Sequence, residues 1–524
     1  MHICKFFCTF VADLIKEAMK KPILILTMLF VCLHLAAQIH ISATDPATWN
    51  AQELSQYIGQ TVVFDDPVVV SSNVGEHLTV GPWRMYNPEC QGFLNTEGYK
   101  SAVRINGSCV FRLDGVSEYH RCGEKIYHLT ATVNSPLNLT FVSGEWSGNT
   151  RAELEAGIPD LGDYRLLVCG FNLENYFSTI GQMGARSAAD KEKQRAKISK
   201  ALKRINADIF GLVEVQQGNE AVQEIVNDLN TNIPGRNYKY FSDPETGTYQ
   251  KVEFVYDANK VEPIGNPGTI DTEVKHRKKM VCFREKSTGE KFIYSINHFK
   301  AMNTGDEARR VNESKAVVDY YKSYRLNKSV RENDLLLMGD LNCYAFTSPI
   351  KHLLSSGLID LHRAYHADSS YSYMYGGLAS YIDHAICNPT LYAQVTGMAA
   401  FHINSDENDR YTYDKSNDLT MFRCSDHDPV LVGLKLDSTL IYDPTPQINS
   451  ANILSGESDQ MVIQNAYMPE TKSFYAIYSI SGWLIDKHEI TSPDYTVELP
   501  KQAGVYVVYI YFNGQTYQRR MIVR

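Results

Sequence analysis

Cys-x-x-Cys occurs nowhere in the 524 residues, so the paired thiolates of a structural zinc site are missing. There is no internal repeat and no low-complexity tract, which excludes solenoids, propellers and disordered arrays. Positive charge is in deficit: 51 Lys and Arg stand against 60 Asp and Glu, a formal net charge of −9. A broad basic surface that holds nucleic acid is thereby excluded, while local contact with phosphate through a bound cation is not. Long apolar runs are also lacking; Ile23–Leu35 falls short of the ~20 residues a membrane-spanning helix needs. What remains is globular in composition, 44% hydrophobic and 21% charged. Its length suits about two to four domains.

The run Ile23–Leu35 has the surroundings of a targeting segment. Met19-Lys20-Lys21 is a basic lead, and Leu35-Ala36-Ala37 offers small residues before Gln38. Residues 1–37 are therefore expected to be a signal peptide, with Met19 an alternative start, and the chain to be exported. Cleavage there leaves Cys90, Cys109, Cys122, Cys169, Cys282, Cys343, Cys387 and Cys424. An even set permits disulfides, but the wide spacing gives no connectivity, and buried free thiols are the plainer expectation for most.

Three segments follow. Residues 40–155 alternate short β-type runs (Thr61–Phe64, Val68–Val70, His77–Val80, Tyr127–Val133, Leu137–Val142) with Gly, Pro and Asn. This predicts a small all-β, barrel-like domain. In it Trp83, Tyr86 and Phe93 could stack on bases, though core packing is the commoner fate of such aromatics. Residues 163–437 mix strands with helical stripes: Ile198, Leu202 and Ile205; Val222, Ile225, Val226 and Leu229; Val311, Val318 and Tyr321. That is an α/β domain of sheets covered by helices. Asp443-Pro444-Thr445-Pro446 reads as a linker to a β-rich, sandwich-like segment over 445–524, where Asn513-Gly514 between apolar runs signals a hairpin.

The chemistry-bearing residues lie in the α/β segment, nearly all just after short apolar runs. They are Asn172 in Phe171-Asn172-Leu173-Glu174-Asn175, Glu214 after Ile209–Val213, Asn297-His298, Gly339-Asp340-Leu341-Asn342, Asp383-His384, and Ser425-Asp426-His427-Asp428-Pro429. Polar groups at the ends of buried strands are held rigidly yet open to ligand. Carboxylates and carboxamides are hard oxygen ligands for Mg²⁺ or Ca²⁺, and histidine moves protons near neutral pH. Singly, each has a plain alternative. Asp340-Leu341-Asn342 could be a hydrogen-bonded turn, Glu214 a surface strand residue, His298 a satisfied polar group, and Ser425-Asp426 a helix cap. Together they point to metal-assisted hydrolysis of phosphate esters.

Gly339-Asp340-Leu341-Asn342 and Ser425-Asp426-His427-Asp428-Pro429, with the rest of the set in this order, resemble the endonuclease/exonuclease/phosphatase family over most of 163–434. The helix Lys191–Ile198, close behind Asn175-Tyr176-Phe177, is most similar to the exported-nuclease branch. The resemblance implies a four-layer αββα sandwich between the N-terminal barrel-like and C-terminal β-sandwich-like domains. It implies Mg²⁺ (or Mn²⁺ or Ca²⁺) at Glu214, with Asn172 and Asp426 as further oxygen ligands. His427 would be the general base, oriented by Asp383. Asp340 and Asn342 would hold water and phosphate, and His298 would protonate the leaving oxygen as in pancreatic-type deoxyribonucleases. The acidic partner of that histidine falls at Gln250, or is supplied by Glu253, a departure that leaves its tuning open. Lys300 and Arg195 are expected substrate contacts, with Lys193 and Lys197 on the same helix.

The β segment at 40–155 resembles oligonucleotide-binding-type barrels, and the last ~85 residues resemble the sorting domains of type IX secretion cargo in Bacteroidetes. The expected partners are a nucleic-acid substrate and the secretion machinery, without stable membrane insertion. An exported nuclease is thus the leading expectation. A phosphodiesterase or phosphatase on lipid or small-molecule phosphates is the alternative, and an inert nuclease-like binding module is the third reading.

Overall fold

The computed structural model describes residues 39–42, 51–73, 78–82, 84–87, 110–147, 150–242, 249–270, 277–302, 305–366, 369–437, 452–455, 460–464, 473–479, 484–491, 495–502, 504–512 and 515–523. The expected signal segment, Cys90, Cys109, Trp83, Phe93 and Asp443–Pro446 lie outside them.

The N-terminal strands are β1 (Ile39–Ile41), β2 (Thr61–Phe64), β3 (Val68–Ser72), β4 (Leu78–Gly81), β5 (Phe111–Asp114), β6 (Lys125–Ser135) and β7 (Asn138–Trp146). They pair in the order β1-β2-β6-β3-β4-β5-β7, and β7 pairs back onto β6. This closes a five-strand ring, β6-β3-β4-β5-β7, around Val70, Val80, Phe111, Ile126 and Leu139, all buried. Closure removes the exposed edges an open sheet would carry. Tyr86 sits edge-on to Tyr371 of the next segment, 6.3 Å between ring centres.

A short helix α1 (Arg151–Ala156) leads into two six-stranded sheets. The first contains β8 (Leu166–Tyr176), β9 (Ile209–Gln216), β10 (Tyr238–Tyr240) and β11 (Gln250–Asp257). The second contains β12 (Val261–Thr269), β13 (Lys278–Glu285), β14 (Lys291–His298), β15 (Leu335–Asp340) and β16 (Ile359–Asp360). Between β16 and the last strands lies the small hairpin β17 (Tyr373–Tyr375) and β18 (Leu378–Ser380). Then β19 (Asp383–Cys387) joins the second sheet, and β20 (Val395–Ala400) and β21 (Val430–Leu434) join the first. The orders are β10-β11-β9-β8-β21-β20 and β12-β13-β14-β15-β19-β16.

The sheets face one another through Val168, Val213, Phe254, Tyr294, Met338 and Val432, which form one buried cluster. Period-two alternation turns the other set, Phe171, Leu173, Phe210 and Leu212, toward the helices α2 (Ala188–Ile205) and α3 (Glu220–Asn232). On the far side Cys282, Ile293, Leu335 and Leu337 meet Val317 and Val318 of α4 (Glu307–Tyr324) and Ile350 and Leu353 of α5 (Ser348–Ser355). Each such side chain removed from water contributes about 1.5–3 kcal/mol. The four layers are therefore helix, sheet, sheet, helix, the architecture expected.

The C-terminal part is β-rich as expected, with one three-stranded and one four-stranded sheet. Strands Gly504–Phe512 and Gln515–Val523 pair from Phe512 opposite Gln515, the register of a hairpin whose two turn residues lie outside the described set. Phe474 and Tyr511 join the inter-sheet cluster beside Tyr392. All described cysteines, Cys122, Cys169, Cys282, Cys343, Cys387 and Cys424, are buried free thiols. Among the described residues no helix is long and apolar enough to cross a membrane.

Candidate active site

Strand register assembles the site. In the second sheet His298 lies beside Asp340 across the parallel pair β14–β15, and Asp340 lies beside Asp383 across the antiparallel pair β15–β19. Three polar residues from distant parts of the chain thus form one row at a sheet end. Gly339 makes the row possible. Its φ is +122°, and a Cβ there would sit 2.1 Å from the Asn297 carbonyl oxygen. The first sheet supplies Asn172 and Glu214 from β8 and β9.

Asn172 lies within a strand, not at the end of one. β8 runs on to Tyr176 because Phe171, Leu173 and Tyr176 still have a helix layer to cover. Asn172 therefore points to the opposite face, where its Nδ2 donates to Asp340 Oδ2 at 3.1 Å. Glu174 and Asn175 have φ near +51° and +57°, and the β8–β9 register breaks between Asn172 and Tyr176. Glu214 has φ of +62° where β9 slips against β11. Such bulges re-aim side chains at functional rims, and each left-handed residue costs about 1–3 kcal/mol that the surrounding packing must hold.

The carboxylates converge. Among the described residues, Glu214, His298 and Asp340 bring ligand atoms within 4.8 Å of one another. His298 Nε2 is 3.6 Å from Glu214 Oε1 and 3.8 Å from Asp340 Oδ2. Asp340 Oδ1 accepts from the Asn342 backbone at 2.8 Å, and Asn342 Nδ2 donates to the Phe299 carbonyl at 3.1 Å. Glu214 Oε2 accepts from the Asn175 backbone at 3.0 Å.

Burial, with Asp426 close by, raises the Glu214 carboxyl above its ordinary value. Burial and Asp383 push Asp340 up to about 7, against the lowering pull of His427. Burial and Asp426 push Glu174 up to about 8, and its Oε2 is buried without a hydrogen-bond partner. Burial, reinforced by Arg277, holds His298 well below the usual imidazole value, so its ring is neutral and its buried Nδ1 has no partner. Crowded, underneutralised carboxylates beside a neutral imidazole lone pair are a donor set that fits a hard divalent cation.

On the other flank His427 Nδ1 is 2.8 Å from Asp383 Oδ2, which also accepts from Ser372 Oγ at 2.8 Å. His427 Nε2 faces Asp426 Oδ1 at 3.8 Å, and Tyr373 lies tilted against the ring, 4.8 Å between centres. Burial pulls the His427 imidazole down, but Asp383, Asp426 and Asp340 outweigh it and hold it well above its usual value. Ser425 Oγ donates to the Asn172 carbonyl at 2.7 Å, tying this segment to β8.

Asn172, Glu214, His298, Asp340, Asn342, Asp383, Asp426 and His427 are thus brought together. The helix cations are not. Two nitrogens of the Arg195 guanidinium, Nη2 and Nε, grip Asp228 on α3 at 2.7 and 2.8 Å. Lys197 is fully buried and donates to the Asp418 carbonyl at 3.0 Å, and Lys193 lies 3.9 Å from Asp190. Lys300 follows His298, with its amine 3.8 Å from Asp306. Neither residue offered as partner for His298 reaches it. Glu253 is buried between Lys251 (2.7 Å) and Lys279 (3.3 Å), while Gln250 joins Asn175 (2.5 Å) to Arg277 (2.8 Å).

Three site residues escaped sequence reasoning. Glu174 stands two places after Asn172 on one strand, a signal that was present. Arg277, whose carbonyl accepts from the His298 backbone at 2.7 Å, is drawn electrostatically to Glu214 and Asp340. Arg423, at φ +55°, is drawn to Glu174. No local pattern marks either arginine.

Residues 169–427 match the family described as Endonuclease/Exonuclease/phosphatase family. No curated protein matches the chain. Solved structures that match include a mannosyl-6-phosphatase of Bacteroides thetaiotaomicron VPI-5482, 20% identical, covering 52% of this chain and 100% of that one, TM-score 0.38. The human Nocturnin catalytic domain with bound sulfate is 16% identical over 52% and 94%, TM-score 0.37. The D. rerio TDP2 complex with a single-strand DNA product is 13% identical over 52% and 99%, TM-score 0.37.

Proposed function

We propose that this chain, whose residues 169–427 match the endonuclease/exonuclease/phosphatase family, is an exported divalent-cation-dependent phosphodiesterase that hydrolyses DNA or RNA. The observation that carries the reading is the His427–Asp383 pair, 2.8 Å apart, facing the carboxylate cluster of Glu214 and Asp340. A proton acceptor with a fixed tautomer beside a cation-binding cluster is what attack of water on a phosphodiester requires.

Glu214, with Asn172 and Asp426, would hold Mg²⁺, Mn²⁺ or Ca²⁺, and Glu174 and Asp340 lie ready to share it. Such a cation, when bound, supplies positive charge to phosphoryl oxygens that otherwise repel a nucleophile. A cation held there would offset the pull of Asp426 and Asp340 that keeps His427 charged; Asp383 would then hold the remaining ring proton on Nδ1, leave Nε2 free to take one from water, and stabilise the imidazolium that results. Asn342, whose Nδ2 donates to the Phe299 carbonyl and to Asp340 Oδ2, would turn a donor to a non-bridging oxygen when phosphate binds, and Asp340 would orient the water. His298 starts neutral; an anionic phosphate beside it would raise its affinity for a proton, which it would take from solvent and pass to the leaving oxygen. Arg277, Arg423 and Lys300 contact phosphate locally, which suits weak, salt-sensitive binding by a chain of net charge −9. The leader at 1–37 and the C-terminal β segment are assigned to export.

The test is turnover of plasmid DNA, RNA, sphingomyelin and an inositol phosphate under one Mg²⁺ condition. Cleavage of nucleic acid supports the reading. Rapid turnover of either of the last two with nucleic acid intact replaces it with a lipid or small-molecule phosphoesterase.

A further inference from the structure

The proposed chemistry leaves two adjacent buried carboxylates unused, Asp406 and Glu407, in the loop after β20. Both are held by the N-terminal barrel and the helix behind it. Arg84 Nη1 meets Asp406 Oδ1 at 2.6 Å, and Arg121 Nε meets Glu407 Oε1 at 2.6 Å. Arg151 and the Tyr119 hydroxyl (2.5 Å) complete the grip on Glu407, and Tyr371 donates to Asp406 at 2.9 Å. Asn73 Nδ2 and the Cys122 backbone, each at 3.0 Å, take the Asp406 carbonyl. Buried ion pairs stabilise little relative to apolar packing, since desolvation offsets attraction. What they add is direction, and this loop is where direction matters.

The loop carries the residues that shape the catalytic segment. Asn404 Nδ2 donates to the His427 carbonyl at 2.6 Å, and Asn404 Oδ1 accepts from the Cys424 backbone at 2.9 Å. The backbones of Asn404 and Ser405 donate to Asp428 at 2.8 and 3.0 Å. A second arm arrives from the other side. Met85 and Asn87 exchange backbone hydrogen bonds of 2.8 Å with Ala379 in β18. Tyr373 of the same hairpin bridges His427, and the Ser372 carbonyl accepts from the Asp428 backbone at 2.8 Å.

We infer that the N-terminal barrel is a brace for the segment Ser425–Asp428, with Arg84 and Arg121 as positioning residues that set His427 against Asp383 through Asn404 and Ser405. The inference rests on the proposed role of His427. It assigns the barrel a part in turnover that is separate from holding substrate, and it makes the isolated α/β domain a weak enzyme.

The experiment uses the full chain, ¹⁵N-histidine labelling and bis(p-nitrophenyl) phosphate, a diester too small to span both domains. Arg84→Gln should lower kcat roughly ten- to hundredfold, the scale of an ångström-sized misplacement. KM should stay within about twofold, because uniform binding is untouched. The far-downfield proton of the His427 Nδ1–H bond to Asp383, assigned by its loss in His427→Gln, should broaden or shift, and Arg84→Lys should restore signal and turnover. A folded Arg84→Gln with wild-type kcat and an unchanged signal overturns the brace. If that variant fails to fold, Tyr371→Phe, which removes only one hydrogen bond to Asp406, should move both readouts the same way, and no movement overturns the inference. A wild-type chain that shows the proton but cleaves no diester with Mg²⁺ or Mn²⁺ refutes the hydrolase reading alone, leaving the brace to be judged on the proton signal.

Discussion

Asp383→Asn isolates the orienting carboxylate from everything else at the site. The substitution keeps shape, and Ser372 Oγ, 2.8 Å from Asp383 Oδ2, can donate to the amide oxygen or accept from the amide nitrogen. The 2.8 Å contact with His427 Nδ1 loses its charge. A hydrogen bond to a charged group contributes about 1.5–3 kcal/mol net, which alone is roughly a ten- to 150-fold loss when the imidazolium forms. A second loss follows from tautomer. The carboxamide can donate to Nδ1, which forces the proton onto Nε2 and removes the lone pair that takes a proton from water. The combined expectation is a fall in kcat of about 10²–10⁴-fold, the range of general base catalysis, with little change in KM. The assay is steady-state hydrolysis of bis(p-nitrophenyl) phosphate, with thermal melting as the check on folding. A folded Asp383→Asn within about threefold of wild-type kcat would refute the reasoning, since no base that depends on this pair could tolerate it.

Glu214→Gln should nearly abolish turnover, yet the cation-free variant should melt no lower than wild type. Burial raises this carboxyl, so its ionised form costs stability at any pH above its unfolded value, and the amide removes that cost. Added Mg²⁺ should raise the wild-type Tm and leave that of the variant unmoved, as differential scanning fluorimetry would record. Acid should act through Asp406. Burial would raise this carboxyl, but Arg84, His402 and Arg121 outweigh it and hold it below the usual value. Its contribution is therefore present above about pH 4, the unfolded value, and is lost as pH falls through the lower folded one. Melting between pH 5 and 3 should show a loss in wild type that Arg84→Gln largely lacks. Arg195→Ala should leave kcat and KM unchanged and shift stability by about 1 kcal/mol at most, because its partly exposed pair with Asp228 is solvent-screened. A tenfold rise in KM would return it to the substrate path.

Period and motif made the four layers legible. The stripes at Ile198, Leu202 and Ile205 and at Val222, Ile225 and Leu229 became the helices that cover the first sheet. The polar set in chain order became the site because strand register, which pairs His298 with Asp340 and Asp340 with Asp383, turns order into a row. Other features stayed hidden for identifiable reasons. Lys197, expected beside Arg195 on the substrate side, shares a helix face with Gln194, Ile198 and Ala201, all buried with it. Glu253 is a partner for His298 by position in the chain, but Lys251, two places before it, and Lys279 of the other sheet hold it instead. The contacts of Arg84 and Arg121 with Asp406 and Glu407 join segments about 280–320 residues apart, as their partners' numbers show. No local pattern carries a pairing of that kind.

The central claim is cation-dependent cleavage of nucleic acid at this one cluster, and plasmid nicking with and without EDTA tests it most directly. Purified chain should convert supercoiled plasmid to nicked and linear forms in Mg²⁺ or Mn²⁺. It should stop in EDTA, resume when the cation is restored, and fail in Glu214→Gln under every condition. Nicking that continues in EDTA, or that survives Glu214→Gln in folded protein, would contradict the account.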